Sequence, residues 1–245
     1  MCSVIFSPRK SGYVLGMNRD EKLTRVAALP PRRWTLGGRE VIAPSEPGGG
    51  MWIGLNDTGA TLALINWYAI AARAVGENIS RGEVTKAVLS AATSREVEAG
   101  LHSLALSRVN PFRIISFFPQ RQEVIEWRWD LRRLRRVRHA WAPAIWISSG
   151  HDEPAAQHSR AATFADACGQ VSCGSLDWLR RLHRSHRPEC GPYSICMHRA
   201  DAATVSHTEI LVSVRTAALR YLSDAPCLGD VATVAPDRLR LSPAS

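Results

Sequence analysis

Cys2 directly follows the initiator methionine. Processing enzymes remove Met1 when the next residue is small, and cysteine qualifies. The mature chain would then begin with a thiol and a free α-amine on one residue. An α-amine with a pKa of ~7.7–8.0 can act as a base near neutral pH. A thiol, near ~8.5 when unperturbed, is a strong nucleophile once it is a thiolate. A chance Met-Cys start is common, so a second signal is needed. It comes from Asn18-Arg19-Asp20-Glu21, which closes the strand returning from Ser7-Pro8-Arg9-Lys10-Ser11-Gly12. That hairpin carries Arg19 and Asp20 back beside the N-terminus. A carboxylate there can accept a hydrogen bond from the terminal amine or thiol, and a guanidinium favours the thiolate. The alternative for Arg19 and Asp20 is a simple surface ion pair.

The elements that must position these groups follow from periodicity and turn signals. Ser3–Phe6 and Tyr13–Asn18 read as strands of a hairpin. Pro30-Pro31 and Pro44 through Gly50 read as loops. Trp52–Leu55 and Thr61–Asn66 flank Asn56-Asp57-Thr58-Gly59, a second hairpin. Ser80-x-x-Glu83 is a capping box that opens a helix to about Ala92, and a second helix runs from Ser94 to about Ser107. Phe112–Phe118, Glu123–Trp129, Leu134–His139 and Ala144–Ser148 read as strands. Glu153–Cys168 and Ser175–Ser185 read as helices. Strands return near Ile195–Met197, Ala203–Ser206, Glu209–Val214 and Leu219–Leu222. Strand blocks interrupted by helix pairs suit a layered α+β protein. One domain over residues 1–245 is the expectation, with a loose tail after about Asp237.

Met-Cys followed by Gly16-Met17-Asn18-Arg19-Asp20-Glu21 resembles the NRDE family, also called the Transport and Golgi organisation 2-like family. Gly49-Gly50-Met51-Trp52-Ile53-Gly54-Leu55-Asn56, then Gly59 and Asn66, resembles that family's second block, with Met51 where threonine is usual. Weaker likenesses lie at Ser148-Ser149-Gly150 with Arg160, and at Cys196-Met197-His198-Arg199 through Ser206. The family is similar in turn to the N-terminal nucleophile hydrolases. This resemblance implies a four-layer αββα sandwich. It implies Cys2 as nucleophile, Arg19 and Asp20 as its polar partners, Asn66 as an oxyanion donor and Arg199 as a late charged contributor. Where the hydrolases have a second oxyanion asparagine, this chain has Ser148-Ser149. Asn18, Trp52, Trp67 and Ser149 are the candidate substrate contacts, with packing the competing role for both tryptophans. The implied activity is that of an amide hydrolase or acyltransferase working through a thioester on a small amide or acyl substrate. A haem, lipid or acyl-CoA carrier on the same fold is the alternative, with Cys196, Met197 and His198 as candidate haem contacts.

Composition bounds these readings. The 245 residues carry 31 Lys+Arg against 22 Asp+Glu, a formal net charge of +9, with three lysines and 28 arginines. An anionic small-molecule substrate would suit that balance. The densest runs are Arg128–Arg138 and Arg180–Arg187, which read as solvated surfaces. No RNP, zinc-finger or helix-turn-helix pattern accompanies them, so nucleic acid is not the expected partner. No apolar run of ~18 residues occurs, so no spanning helix is expected. The start lacks the pattern of a secretory signal, which makes a cytoplasmic protein with reduced thiols the expectation. Cys168, Cys173, His183, His186, Cys190 and Cys196 share one stretch. Their x4 and x5 spacings are not those of a zinc motif, so scattered thiols, no metal and no cofactor are expected.

Overall fold

The computed structural model describes residues 2–242. The chain runs through β1 (Cys2–Arg9), β2 (Gly12–Lys22), β3 (Leu29–Leu36), β4 (Arg39–Ser45), β5 (Ile53–Asn56) and β6 (Thr61–Asn66). Helices α1 (Arg81–Val88) and α2 (Ser94–His102) follow, then β7 (Phe112–Phe118), β8 (Glu123–Trp129), β9 (Leu134–His139) and β10 (Ala144–Ser148). The last part holds α3 (Glu153–Cys168), α4 (Leu176–His183), β11 (Ala202–Val212), β12 (Thr216–Leu222) and β13 (Asp237–Arg240). Among the described residues the chain divides into two compact units, one holding residues 2–26, 142–213 and 218–237, the other 27–141, 214–217 and 238–242.

The first unit is built on five strands in the order β10-β1-β2-β11-β12. Ile5 and Val14 of its central strands pack with Ala167 of α3 and with Trp178, Leu179 and Leu182 of α4. Trp178 also donates its indole N–H to the Ala167 carbonyl at 2.9 Å. Truncating such a side chain to alanine costs about 3–5 kcal/mol. The close approach of α4 to β2 depends on Gly16, where an added Cβ would stand 2.3 Å from Nε2 of His183. β13 occupies the stretch where the sequence reads a loose tail.

The second unit is a seven-stranded meander, β3 to β9 in order, with α1 and α2 on one face. Its Asn56-Asp57-Thr58-Gly59 turn forms as the residue types require. Gly59 takes φ +78°, and Oδ1 of Asn56 accepts from the Thr58 N–H, the Thr58 hydroxyl and the Ala60 N–H.

Four local expectations are corrected. Pro30 and Pro31 lie in β3 and Pro44 lies in β4 instead, while the loop expected through Gly50 forms from Glu46 onward. Pro30 and Pro31 sit where the β3–β4 register shifts, on a strand at the edge of its sheet, where a missing N–H is tolerated. The reciprocal capping box is at Thr93 and Glu96: the Thr93 hydroxyl accepts from Glu96 N–H, and the Glu96 carboxylate accepts from Ala92 N–H. Ser80 caps α1 by accepting from Gly82 N–H rather than from Glu83. Near Ile195–Met197 there is only an isolated bridge from His198 to Ala203, while Ala203–Ser206 and Glu209–Val214 merge into β11 across a bulge.

Candidate active site

Cys2 opens β1, lies in register with Arg19 on β2 and with Ser148 on β10, and is buried. Ser206 of β11 faces Arg19 in turn. Residues paired across antiparallel strands project to the same face. Cys2, Arg19, Ser148 and Ser206 therefore form one row across four strands. Ser148 Oγ in this row is buried and has no hydrogen-bond partner among the described residues. The Arg19 guanidinium reaches Glu21 at 3.4 Å, and Glu21 also pairs with Arg25 at 3.2 Å. Burial pushes the Cys2 thiol above its ordinary value. The Asp20 charge adds to that rise and the Arg19 charge opposes it.

The alternate residues, Ser3, Asn18 and Asp20, serve a second set of contacts with the helices. Asp20 is fully buried and pairs with Arg160 of α3 at 3.1 Å. Its other oxygen accepts from the Thr204 hydroxyl at 2.7 Å. Arg160 also donates to Ser3 Oγ at 2.9 Å and to the Pro192 carbonyl at 3.2 Å. Asn18 is equally enclosed. Its amide nitrogen donates to the carbonyls of His183 and Ile195, and its oxygen meets Nδ1 of His183 and of His207. Burial, then the neighbouring imidazole of His207, pushes His183 well below its ordinary pKa. Burial, with the charges of Arg180 and Arg184, takes His207 down to about 3. Both rings are therefore neutral and hold Asn18 in place. A substrate contact at Asn18 does not fit these four interior bonds.

The other candidates have contacts of their own. Ser149 exchanges bonds with the backbone of His151: its hydroxyl donates to the carbonyl at 2.7 Å and accepts from the N–H at 3.2 Å. Arg199 sits in the bend before β11, paired with Asp201 at 2.7 Å. Cys196 and Met197 are fully buried, which leaves neither on an open haem-binding surface. Asn66, Trp52 and Trp67 belong to the second unit. Asn66 ends β6 and donates to the Tyr68 hydroxyl at 2.8 Å. Trp52 is buried, and its carbonyl accepts from Leu64 N–H at 2.8 Å. Trp67 is half-buried.

Arg160 as the partner of Asp20 is the main residue that motif reading leaves without a role. A signal for it does exist. The buried positions of α3 are Glu153, Ala156, Arg160, Thr163 and Ala167, spaced by three and four residues. An arginine in the middle of a core-facing stripe needs an internal acid.

No curated protein matches this sequence. Among solved structures, the chain is similar to a penicillin V acylase from Agrobacterium tumefaciens, with TM-score 0.56 and 10% identity, over 98% of this chain and 91% of that one. It is also similar to two variants of the conjugated bile acid hydrolase from Clostridium perfringens. Each has TM-score 0.52; the identities are 8% and 9%, covering 100% and 99% of this chain and 99% and 97% of those. Likeness at this identity shows the fold, the α+β sandwich of the N-terminal nucleophile hydrolases. No described helix is long and apolar enough to cross a membrane. Residues 1–139 match the Transport and Golgi organisation 2 family, more than half of the sequence and including Cys2 and Asn18 through Glu21, so the chain belongs to that family.

Proposed function

We propose that this chain is an N-terminal-cysteine amide hydrolase or acyltransferase whose nucleophile is Cys2 after removal of Met1. The observation that carries this reading is the position of Cys2 at the head of a central strand, in register with Arg19 and Ser148. The thiolate attacks an amide carbonyl carbon, forming a C–S bond and a tetrahedral oxyanion. Collapse breaks the C–N bond, and the amine leaves with the proton held by the terminal ammonium. Water or a second amine then attacks the thioester and releases the thiol. Arg19 favours the thiolate. Asp20, fixed by Arg160 and Thr204, would balance the terminal ammonium in this proposal. Asn66 and Arg199 keep the roles the family resemblance implies, and Asn66→Ala and Arg199→Ala test them by loss of turnover without loss of Cys2 labelling. The arginine excess favours an anionic amide or acyl substrate.

Mass spectrometry of the purified terminus, together with limiting iodoacetamide, tests the reading. A chain that begins at Cys2, with Cys2 labelled faster than Cys168 and Cys173, is the expected result. An intact Met1, or Cys2 labelling no faster than those two half-buried thiols, overturns it. The labelling also has a definite pH dependence. With its thiol pushed up by burial, Cys2 in a Met1-retaining chain labels faster at each step from pH 7 to 9 without reaching a plateau. Removing Met1 places an ammonium on Cys2 itself, which lowers the thiol pKa and shifts that profile to lower pH.

A further inference from the structure

Residues 184–201, between α4 and β11, form a long connection with neither helix nor strand. Structureless segments of that length are uncommon in compact proteins unless something fastens them. Three residues of this connection, His186, Cys196 and His198, meet Cys227 from the turn after β12. One ligand atom from each lies within 4.8 Å of all the others. Nε2 of His198 is 3.6 Å from Cys196 Sγ and 3.4 Å from Cys227 Sγ. The His186 and His198 rings meet edge to face with centroids 5.0 Å apart. Nε2 of His186 is buried without a hydrogen-bond partner among the described residues.

These separations match a particular coordination geometry. With zinc bonds of ~2.3 Å to sulfur and ~2.0–2.1 Å to nitrogen at tetrahedral angles, sulfur and nitrogen ligands stand about 3.6 Å apart. Two thiols and two imidazoles at that spacing select a tetrahedral, borderline-soft divalent ion over calcium or magnesium, which take oxygen. We propose that His186, Cys196, His198 and Cys227 form a structural Cys2His2 site for a zinc-class cation. All four positions are protein ligands, so the site is closed and its role is to fasten the loop.

The fastening also reaches the candidate active site. Met197, between two of the ligands, donates its N–H to Thr204 Oγ1 at 2.9 Å, and that hydroxyl in turn donates to Asp20. The pattern escapes a motif search because Cys227 is 29 residues from His198 and no pair has C-x-x-C spacing.

The test uses the untagged full chain expressed in zinc-supplemented medium and passed through a desalting column with chelator. Elemental analysis is expected to find about one zinc per chain. Cobalt(II) added to metal-stripped protein is expected to give thiolate-to-cobalt absorption in the near ultraviolet and tetrahedral d–d bands in the visible. His186→Asn and Cys227→Ser, each checked for native far-ultraviolet circular dichroism, are expected to lose the metal and the cobalt spectrum. The Cys168→Ser/Cys173→Ser double variant is expected to keep both. A chain that holds no zinc and takes up no cobalt overturns the proposal. So does retention of zinc by both single variants, or a mass lighter by two hydrogens that maps to a Cys196–Cys227 disulfide. If a variant fails to fold, the cobalt spectrum of the unmutated chain alone decides.

Discussion

The first unit buries two carboxylates against arginine, Glu209 with Arg180 and Arg220 and Asp20 with Arg160, and the Asp20 pair is built differently from the second unit's Glu126 cluster. In the second unit, Glu126 is fully buried, but its partners Arg113, Arg128 and His139 extend toward water, with Arg128 35% exposed. In the first unit, Asp20 and its partner Arg160 are both fully buried. Taking both ions out of water costs several kcal/mol each, returned only where the remaining polar atoms find partners. Asp20 has Thr204, and Arg160 has Ser3 and Pro192, yet Arg160 Nε has no hydrogen bond among the described residues. The Glu126 cluster is a solvated brace on a meander. The Asp20 cluster is an expensive arrangement beside the row that holds Cys2. A fold seeking stability alone would do as well with apolar residues there, which sets the Asp20 pair apart from the part-exposed partners of Glu126 and Glu209.

Removing one partner in each unit tests that contrast. Arg160→Met leaves the Asp20 carboxylate buried without its counter-charge, and a loss of about 3–5 kcal/mol in urea unfolding is expected. A loss as small as that of an exposed pair would erase the distinction. The next largest effect is one of pH. His207 has a pKa of about 3 in the folded chain and near ~6.5 unfolded, with His183 also lowered. Between those values the unfolded chain binds more protons, so stability is full above about pH 6.5 and falls as the pH drops toward 3. His207→Gln keeps a donor for Asn18 and cannot titrate, so its stability should depend less steeply on pH by about one proton in that window. An unchanged slope would mean that the first unit's acid sensitivity lies elsewhere.

Local signals carried much of this structure, and long-range ones were lost. The β1–β2 hairpin, the Asn56–Gly59 turn and the bounds of α3 follow from residues within a few positions of each other. β3 and β4 were hidden because proline reads as a breaker, whereas an edge strand with a bulge accommodates it. The site divides in the same way. Cys2, Arg19 and Asp20 come together through one hairpin, so adjacency in sequence sufficed to bring them near each other. The identity of the Asp20 partner did not follow from adjacency. Arg19 is next in sequence but points to the other face, and Arg160 arrives from a helix 140 residues away. Asn18 misled for a related reason, since a polar residue in a functional motif can serve the interior.

The smallest expected effect lies in the second unit and fixes the other end of the comparison. Burial pushes the Glu126 carboxyl up, but the hydrogen bond from Arg128 and the charge of Arg113 outweigh it and hold it below its ordinary value. A carboxylate depressed in the folded state contributes stability that is present above the unfolded pKa and lost as pH falls through the folded one. Arg128→Ala removes one of two guanidinium partners while Arg113 stays at hydrogen-bond distance. At neutral pH the expected cost is therefore about 1 kcal/mol or less. Its signature should instead be an upward shift of the Glu126 carboxyl titration followed by NMR, with acid unfolding beginning at higher pH. A neutral-pH loss comparable to that of Arg160→Met would show that Glu126 depends on a single counter-charge as Asp20 does, and that both units pay equally for burying a carboxylate.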